Sequence, residues 1–81
     1  QNYPNPFNPT TRIAFDVPKK SEVSLKVYDM LGRKVATLVN QDKAAGHYTL
    51  NFDAQHLSSG VYIYRLQVGN KVISKKMTLI K

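Results

Sequence analysis

The stretch Leu57–Val68 constrains the fold of this chain more than any other. It reads Leu-Ser-Ser-Gly-Val-Tyr-Ile-Tyr-Arg-Leu-Gln-Val, with a polar corner that ends at Gly60. Beyond the corner, apolar side chains recur at every second residue, namely at Tyr62, Tyr64, Leu66 and Val68. Because successive side chains of a strand point to opposite faces, these four share one face. The stretch therefore predicts a β-strand with one buried face.

The corner itself carries a second signal. Tyr62 follows Gly60 by two residues, a spacing typical of the tyrosine corner of immunoglobulin-like sandwiches, in which the phenol hydroxyl bonds to the preceding loop. Leu57 is expected to close one end of the core. If this strand is central, the chain forms a small β-sandwich.

Five further segments have strand-like patterns. Three alternate cleanly between apolar and polar residues: Arg12–Val17, Glu22–Asp29 and His47–Asp53. Their predicted inward side chains are Ile13, Phe15 and Val17; Val23, Leu25 and Val27; and Tyr48, Leu50 and Phe52. A fourth, Lys71–Ile80, carries Ile73, Met77 and Leu79 on one side and Val72 and Ile80 on the other. The fifth segment, Arg33–Asn40, fits no clean period, which indicates a bulge or an edge strand. No segment shows convincing helical periodicity.

Turn signals separate these strands. Asp29–Gly32 predicts a tight reversal with Gly32 at positive φ, and Gln41–Gly46 predicts a polar loop. Gly69-Asn70 predicts a two-residue hairpin that leads into the last strand. The pattern as a whole predicts an all-β, antiparallel, immunoglobulin-like β-sandwich of about seven strands, with the strand order left open.

The first residues differ in composition from the rest. Gln1–Thr11 contains Pro4, Pro6 and Pro9, the last two directly after asparagines, which favour an extended or turning backbone and predict a shaped strap. Tyr3 and Phe7 are its large apolar groups, and they are expected to pin the strap against the sandwich. A seventh strand requires the strap to pair at a sheet edge. The predicted organisation is one domain, with the strap at 1–11 and the sandwich at 12–81.

Bulk composition limits the partners. The chain has 81 residues, no cysteine and a formal net charge of +7. The charge favours anionic partners, although lysines also protect sheet edges from aggregation. Nucleic-acid binding is not expected, since the basic residues are not interleaved with exposed aromatics. No apolar run reaches the length of a membrane span, and a start at Gln1 suggests a piece of a longer protein with any export signal upstream.

Catalytic and metal chemistry find little support in the sequence. Asp53, His56 and Ser59 lie close together, but triads converge from separate elements, and Asp and Ser at corners are typical turn formers. His47 and His56 alone do not make a zinc site, and the aspartates follow no calcium-loop pattern. We therefore predict no enzyme activity, no cofactor and no metal site. Tyr48, Phe52, Tyr62 and Tyr64 are expected in the core, which leaves Tyr28 as the exposed or half-exposed aromatic.

Several stretches resemble a known family when taken together. They are Asn2-Tyr-Pro-Asn-Pro-Phe-Asn-Pro9, Val27-Tyr-Asp-Met-Leu-Gly-Arg-Lys-Val35, Gly46-His-Tyr48, Leu57-Ser-Ser-Gly-Val-Tyr62 and Lys76-Met-Thr-Leu-Ile-Lys81. In order and spacing they resemble the type A C-terminal sorting domains of the type IX secretion system of Bacteroidetes, the Por secretion tail family. The immunoglobulin-like domain of flagellar hook-capping proteins is similar in its Asn-Pro opening and its turn.

The resemblance implies a secretion signal. In that family the parent protein folds in the periplasm, and the terminal sandwich is recognised by outer-membrane machinery. A sortase-like peptidase then cleaves upstream of the sandwich, at or before the strap, and the cargo is released or joined to anionic lipopolysaccharide. The implied location is the periplasm in transit, then the cell surface or the medium. A chain that ends directly after the last motif agrees with this expectation.

Two sets of residues follow from this interpretation. The positions that match the family's motifs are Asp29, Gly32, Gly46, Leu57, Gly60 and Tyr62. The expected recognition site is the last hairpin, where a backbone edge pairs with a partner strand, and its residues are Lys71, Lys75, Lys76, Met77, Leu79, Ile80 and Lys81. The motif residues also suit turns and edges of any such fold, and a fold does not fix a function. The alternative is a structural or adhesive module: an immunoglobulin-like spacer, a hook-cap-like scaffold or a glycan-binding accessory domain.

Overall fold

Six antiparallel strands make up the part of the chain that the computed structural model describes, residues 10–80. They are β1 (Thr10–Val17), β2 (Ser21–Asp29), β3 (Lys34–Lys43), β4 (Gly46–Asp53), β5 (Gly60–Val68) and β6 (Lys71–Leu79). These residues contain no helix, so no helix within them is long and apolar enough to cross a membrane.

The strands form two sheets. One contains β1 and β4, and the other contains four strands in the order β3-β2-β5-β6. The predicted all-β antiparallel sandwich is confirmed, with six strands in place of about seven. The seventh depended on the strap, and residues 1–9, with Tyr3 and Phe7, lie outside the described residues.

The core lies between the sheets. Strand β2, which pairs on both edges, buries Val23, Leu25 and Val27 almost completely. Opposite them lie the inward side chains of β1 and β4, and the buried set is Ile13, Phe15, Val17, Val23, Leu25, Val27, Val39, Phe52, Ala54, Tyr62 and Leu66. The alternation in the sequence therefore identified the buried face of each interior strand.

The two strands of the smaller sheet do not cover the full width of the four-stranded sheet. Where β3 leads into β4, the Lys43 ammonium lies 4.9 Å from the Tyr48 ring centroid. Phe15 of β1 stacks on the same ring at a centroid distance of 5.5 Å. At the far edge of the larger sheet, β6 keeps Lys71, Ile73 and Lys75 exposed. Strand β6 is therefore only partly covered.

Strand boundaries differ from the prediction by more than one residue in two places. The predicted polar loop at 41–46 is wrong, since β3 continues to Lys43 and only two residues separate it from β4. The reason is pairing: Ser21↔Lys43 and Val23↔Gln41 are partners across the ladder, so the hydrogen bonds of β2 outweigh the polar composition. Strand β1 likewise starts at Thr10, inside the predicted strap, because Thr10 pairs with Asp53. The predicted bulge and edge position of the third strand are both confirmed by its place and its register shifts.

Candidate recognition surface

The terminal hairpin, β5 with β6, joins an interior strand to an edge strand. Its turn is the predicted Gly69-Asn70 pair, with Gly69 at φ 58° and Val68 opposite Lys71. Within residues 10–80, β6 pairs with β5 alone, so one backbone edge of β6 carries no partner strand. An unpaired edge presents N–H and C=O groups to another chain.

The side chains of β6 divide between the two faces of the sheet. Directly opposite residues of an antiparallel pair point to the same face. Tyr62 and Leu66 are buried on the inward face of β5, and their partners across the ladder are Met77 and Ile73. By the same alternation Lys71, Lys75 and Leu79 also lie on the inward face.

The expected recognition residues therefore do not form one surface. Lys71, Lys75, Met77 and Leu79 face inward, whereas Lys76 lies opposite Ile63 on the outer face. Ile80 follows the end of β6 and is 77% exposed. Lys81 lies outside the described residues.

A groove runs beside the inward face of β6. It has a volume of about 690 Å³ and lies between β1 and the terminal hairpin. Tyr64, predicted to lie in the core, is only half-buried and lines this groove together with Ile73. The prediction for Tyr64 rested on the two-residue period, which does not show how far the facing sheet extends; within residues 10–80 the strands of that sheet leave β6 partly uncovered.

The tyrosine corner holds the start of β5. The Tyr62 hydroxyl donates to the Ser58 carbonyl at 2.7 Å, as predicted. Within the same corner the Leu57 N–H donates to the Ala54 carbonyl at 2.9 Å, and Leu57 packs against the core. Gly60 begins β5 and Gly46 begins β4. These motif residues therefore shape the ends of strands.

Asp29 organises the turn between β2 and β3. Its Oδ1 accepts hydrogen bonds from the backbone N–H groups of Leu31 and Arg33, each at 2.9 Å, and its Oδ2 lies 2.8 Å from the Arg33 Nε. The Arg33 backbone N–H is the main cause that lowers the pKa of Asp29; desolvation opposes it, and the Arg33 side chain and Leu31 N–H act with it. Gly32 closes the turn at φ 84°, as predicted. Met30, at the turn's tip, is 65% exposed.

Two of the residues considered for catalysis or metal binding, Asp53 and His47, are turn and surface groups. Asp53 Oδ1 accepts a hydrogen bond from the Gln55 N–H at 3.0 Å, which is the predicted turn-forming role. His47 Nδ1 lies 2.6 Å from Asp16 Oδ1, across the β1–β4 ladder, and both side chains are exposed. Residues 10–80 contain no group of three or more histidines and carboxylates placed to hold a metal ion.

Comparison with known protein families finds a match that covers the chain. The family model described as "Secretion system C-terminal sorting domain" matches residues 1–81, the whole chain. The chain belongs to this family. No curated protein and no solved structure matches it.

Membership of this family establishes the role of the domain. It is a C-terminal sorting signal for type IX secretion, and the alternative of a structural or adhesive module is not favoured. A sorting signal implies an upstream cargo, interaction with the type IX secretion machinery, and export to the cell surface or beyond. The family is not an enzyme family.

Sequence reasoning missed two features of the sorting domain. The groove depends on how much of the larger sheet the smaller one covers, which no local pattern contains. The contact of His47 with Asp16 depends on the β1–β4 register, in which these residues are direct partners. Alternation alone placed both on outward faces, and both the strand order and the register would have been needed to pair them.

Proposed function

We propose that the type IX machinery recognises the sorting domain through the terminal hairpin, by pairing a strand of its own with the free edge of β6. The edge position of β6 is the observation that carries this proposal. An added strand gains affinity from main-chain hydrogen bonds, whereas side chains at alternate positions supply specificity.

The positive charge of β6 also supports recognition at this strand. Lys71, Lys75 and Lys76 are all exposed on β6, and each strand face carries at least one of them. Cations on both faces steer and orient an acidic partner without a need for deep burial. Lys81 adds a further positive charge in the sequence.

Apolar contacts come from the end of the hairpin. Met77 and Leu79 are half-buried against the core, while Ile80 is exposed. A partner that lies along β6 would cover Ile80 and add burial worth about 1–2 kcal/mol. The residues of this proposed site are therefore Lys71, Lys75, Lys76, Met77, Leu79, Ile80 and Lys81.

Processing forms the second part of the proposal. The sorting domain folds in the periplasm and crosses the outer membrane with its cargo. A sortase-like peptidase then cleaves at or before the strap, and the cargo is released or joined to anionic lipopolysaccharide. The resemblance of the Asn-Pro-rich opening and of the closing Lys76-Met-Thr-Leu-Ile-Lys81 supports this sequence of events.

The test is export of a fusion. Residues 1–81 are joined to the C-terminus of a periplasmic reporter in a host with type IX machinery, and reporter in the medium and on the surface is measured. We expect export that is lost on removal of residues 78–81 and reduced by Lys75→Glu with Lys76→Glu. The matched control is Lys20→Glu with Lys34→Glu, which changes the net charge equally at exposed positions away from β6.

Three results would count against the proposal. Export that survives removal of residues 78–81 argues against recognition through the hairpin. Equal export by the two charge-reversed variants argues against the electrostatic part. A reporter that reaches the surface with the sorting domain still attached argues against cleavage.

A further inference from the structure

The outer face of the larger sheet carries two like charges opposite each other. On β2, Leu25 and Val27 are buried against the smaller sheet, so Lys26 between them points to the solvent side. Its direct partner on β5 is Arg65, and directly opposite residues of an antiparallel pair share a face. Like charges in this arrangement destabilise a sheet. Among the described residues, no salt bridge involves either cation.

Two apolar groups and a third cation lie beside this pair. Tyr28 and Ile63 are the next outward pair along the same two strands, and both are half-buried. Lys76 is the partner of Ile63 on β6 and is exposed. Lys26, Arg65, Tyr28, Ile63 and Lys76 together form the outer block, which is about 10 Å wide across three strands and about 7 Å long.

The outer face is polarised along β2. Beyond Tyr28 the strand ends in a turn whose tip exposes Met30 and Leu31, by 65% and 78%. At the other end Glu22 is the direct partner of Asp42, and both carboxylates are exposed. The apolar tip and the cations therefore lie toward one end of this face, and the acidic pair lies at the other.

We propose that the outer block binds the surface of a bilayer that contains anionic phospholipids. Headgroup phosphates would lie between Lys26 and Arg65 and relieve the repulsion between these side chains, and each cation near such a surface strengthens attachment roughly fivefold. Tyr28 has the amphipathic ring that is enriched at membrane interfaces. The tip at Met30 and Leu31 would enter the headgroup region, while the acidic end stays away from it.

Other occupants fit this face less well. A standard protein interface takes about 800 Å² of each partner, so an acidic protein would also have to lie over Glu22 and Asp42. A second copy of the chain would bring a further net charge of +7. A single-stranded nucleic acid would find one ring in the block, Tyr28, on which to stack. Residues 1–9 lead into β1, which packs on the opposite face of the larger sheet.

The test uses the chain 1–81 without secretion machinery, so it does not depend on the proposed pairing at the β6 edge. Binding is measured by flotation with vesicles made of equal parts of phosphatidylcholine and phosphatidylglycerol. Vesicles of phosphatidylcholine alone are the control. We expect binding to the anionic vesicles only, and this binding should weaken as added salt shortens the Debye length.

Charge reversal in the block should reduce the binding. Lys26→Glu with Arg65→Glu should weaken it at least about tenfold, whereas Lys19→Glu with Lys20→Glu, an equal change of net charge at exposed positions between β1 and β2, should weaken it less than about threefold. Lys26→Glu alone places a carboxylate opposite Arg65, so it should raise the urea midpoint while it weakens vesicle binding. A purely structural role for Lys26 would not produce both effects.

The orientation on the bilayer has its own measurement. The chain contains no tryptophan, so Leu31→Trp places a single fluorescent reporter at the tip. Its emission should shift to the blue with anionic vesicles, because the indole leaves water. Val72→Trp is the matched control, since Val72 is exposed on the same face toward its acidic end, and it should not shift.

Several results would overturn the inference. They are no binding to the anionic vesicles, equal binding to phosphatidylcholine alone, equal losses in the two double variants, or equal blue shifts of the two tryptophan variants. Tighter binding of polyglutamate than of the anionic vesicles would identify an acidic protein as the partner. Contacts of Tyr3 or Phe7 with Tyr28 in the free protein would mean that the chain's own first residues cover the block.

Discussion

The Tyr62 hydroxyl donates a hydrogen bond of 2.7 Å to the backbone carbonyl of Ser58, four residues upstream. This contact joins the corner to the first residues of β5, and β5 is the strand that lies between β2 and the edge strand β6. The Tyr62 side chain is buried, with 7% of the residue exposed. The start of the terminal hairpin is therefore held by a hydrogen bond that is partly shielded from water.

Replacing Tyr62 by phenylalanine should lower the free energy of unfolding by about 1 kcal/mol, because the ring stays in place while the Ser58 carbonyl loses its donor. The measurement is urea unfolding at neutral pH. Tyr48→Phe is the matched control, since that hydroxyl donates to the Ala44 carbonyl at 2.6 Å in an exposed setting. A Tyr48→Phe loss as large as that of Tyr62→Phe would contradict the importance of shielding.

The stability of the core should be most sensitive to substitutions in β2. Leu25 has 0% exposure and lies at the centre of the buried cluster. Leu25→Ala should cost about 3 kcal/mol, a large part of the stability of a domain this small. Leu31→Ala removes the same atoms from a residue that is 78% exposed and should change the stability by less than about 0.5 kcal/mol. Comparable losses in denaturant unfolding would mean that the core lies elsewhere.

The strands, the corner and the two predicted turns follow from local patterns. Period-two alternation identified Ile13, Phe15 and Val17 as buried, and the glycines at 32 and 69 marked the reversals. These features are local because each depends on a few neighbouring residues. The extension of β3 to Lys43 is different, because the ladder with β2, and not composition, decides it.

The recognition surface was harder to predict from the sequence. Alternation correctly separates Lys75 from Lys76 once β6 is known to be a strand, but it does not say which face another sheet covers. That depends on which strands of the four-stranded sheet the other sheet covers, and this is a property of the assembled fold. Tyr64 shows the consequence, since its inward direction was predicted and its half-exposed position beside the groove was not.

The turn at Gly32 should tolerate L-alanine poorly. Its φ of 84° lies in the left-handed region, and no atom lies within 4 Å of a Cβ built there. Gly32→Ala should therefore cost about 1 kcal/mol from backbone strain alone. A chain assembled by peptide ligation with D-alanine at this position should be at least as stable as the wild type, because D-residues favour positive φ. Equal destabilisation by both alanines, measured by thermal unfolding, would indicate a steric cause.

The Asp29 carboxylate should make the stability depend on pH in the acidic range. Its backbone and guanidinium partners lower the pKa of Asp29 in the folded state. A carboxyl with a lowered folded pKa stabilises the protein above its unfolded pKa, which is about 3.9. That contribution is lost as pH falls through the folded pKa, because the unfolded chain binds the proton more tightly than the folded state does.

Urea midpoints measured from pH 6 down to about 2 should fall more for the wild type than for Asp29→Asn. The variant Arg33→Gln should lie in between, since it keeps both backbone donors to Asp29. An Asp29→Asn protein with an unchanged pH profile would show that other carboxylates account for the acid sensitivity.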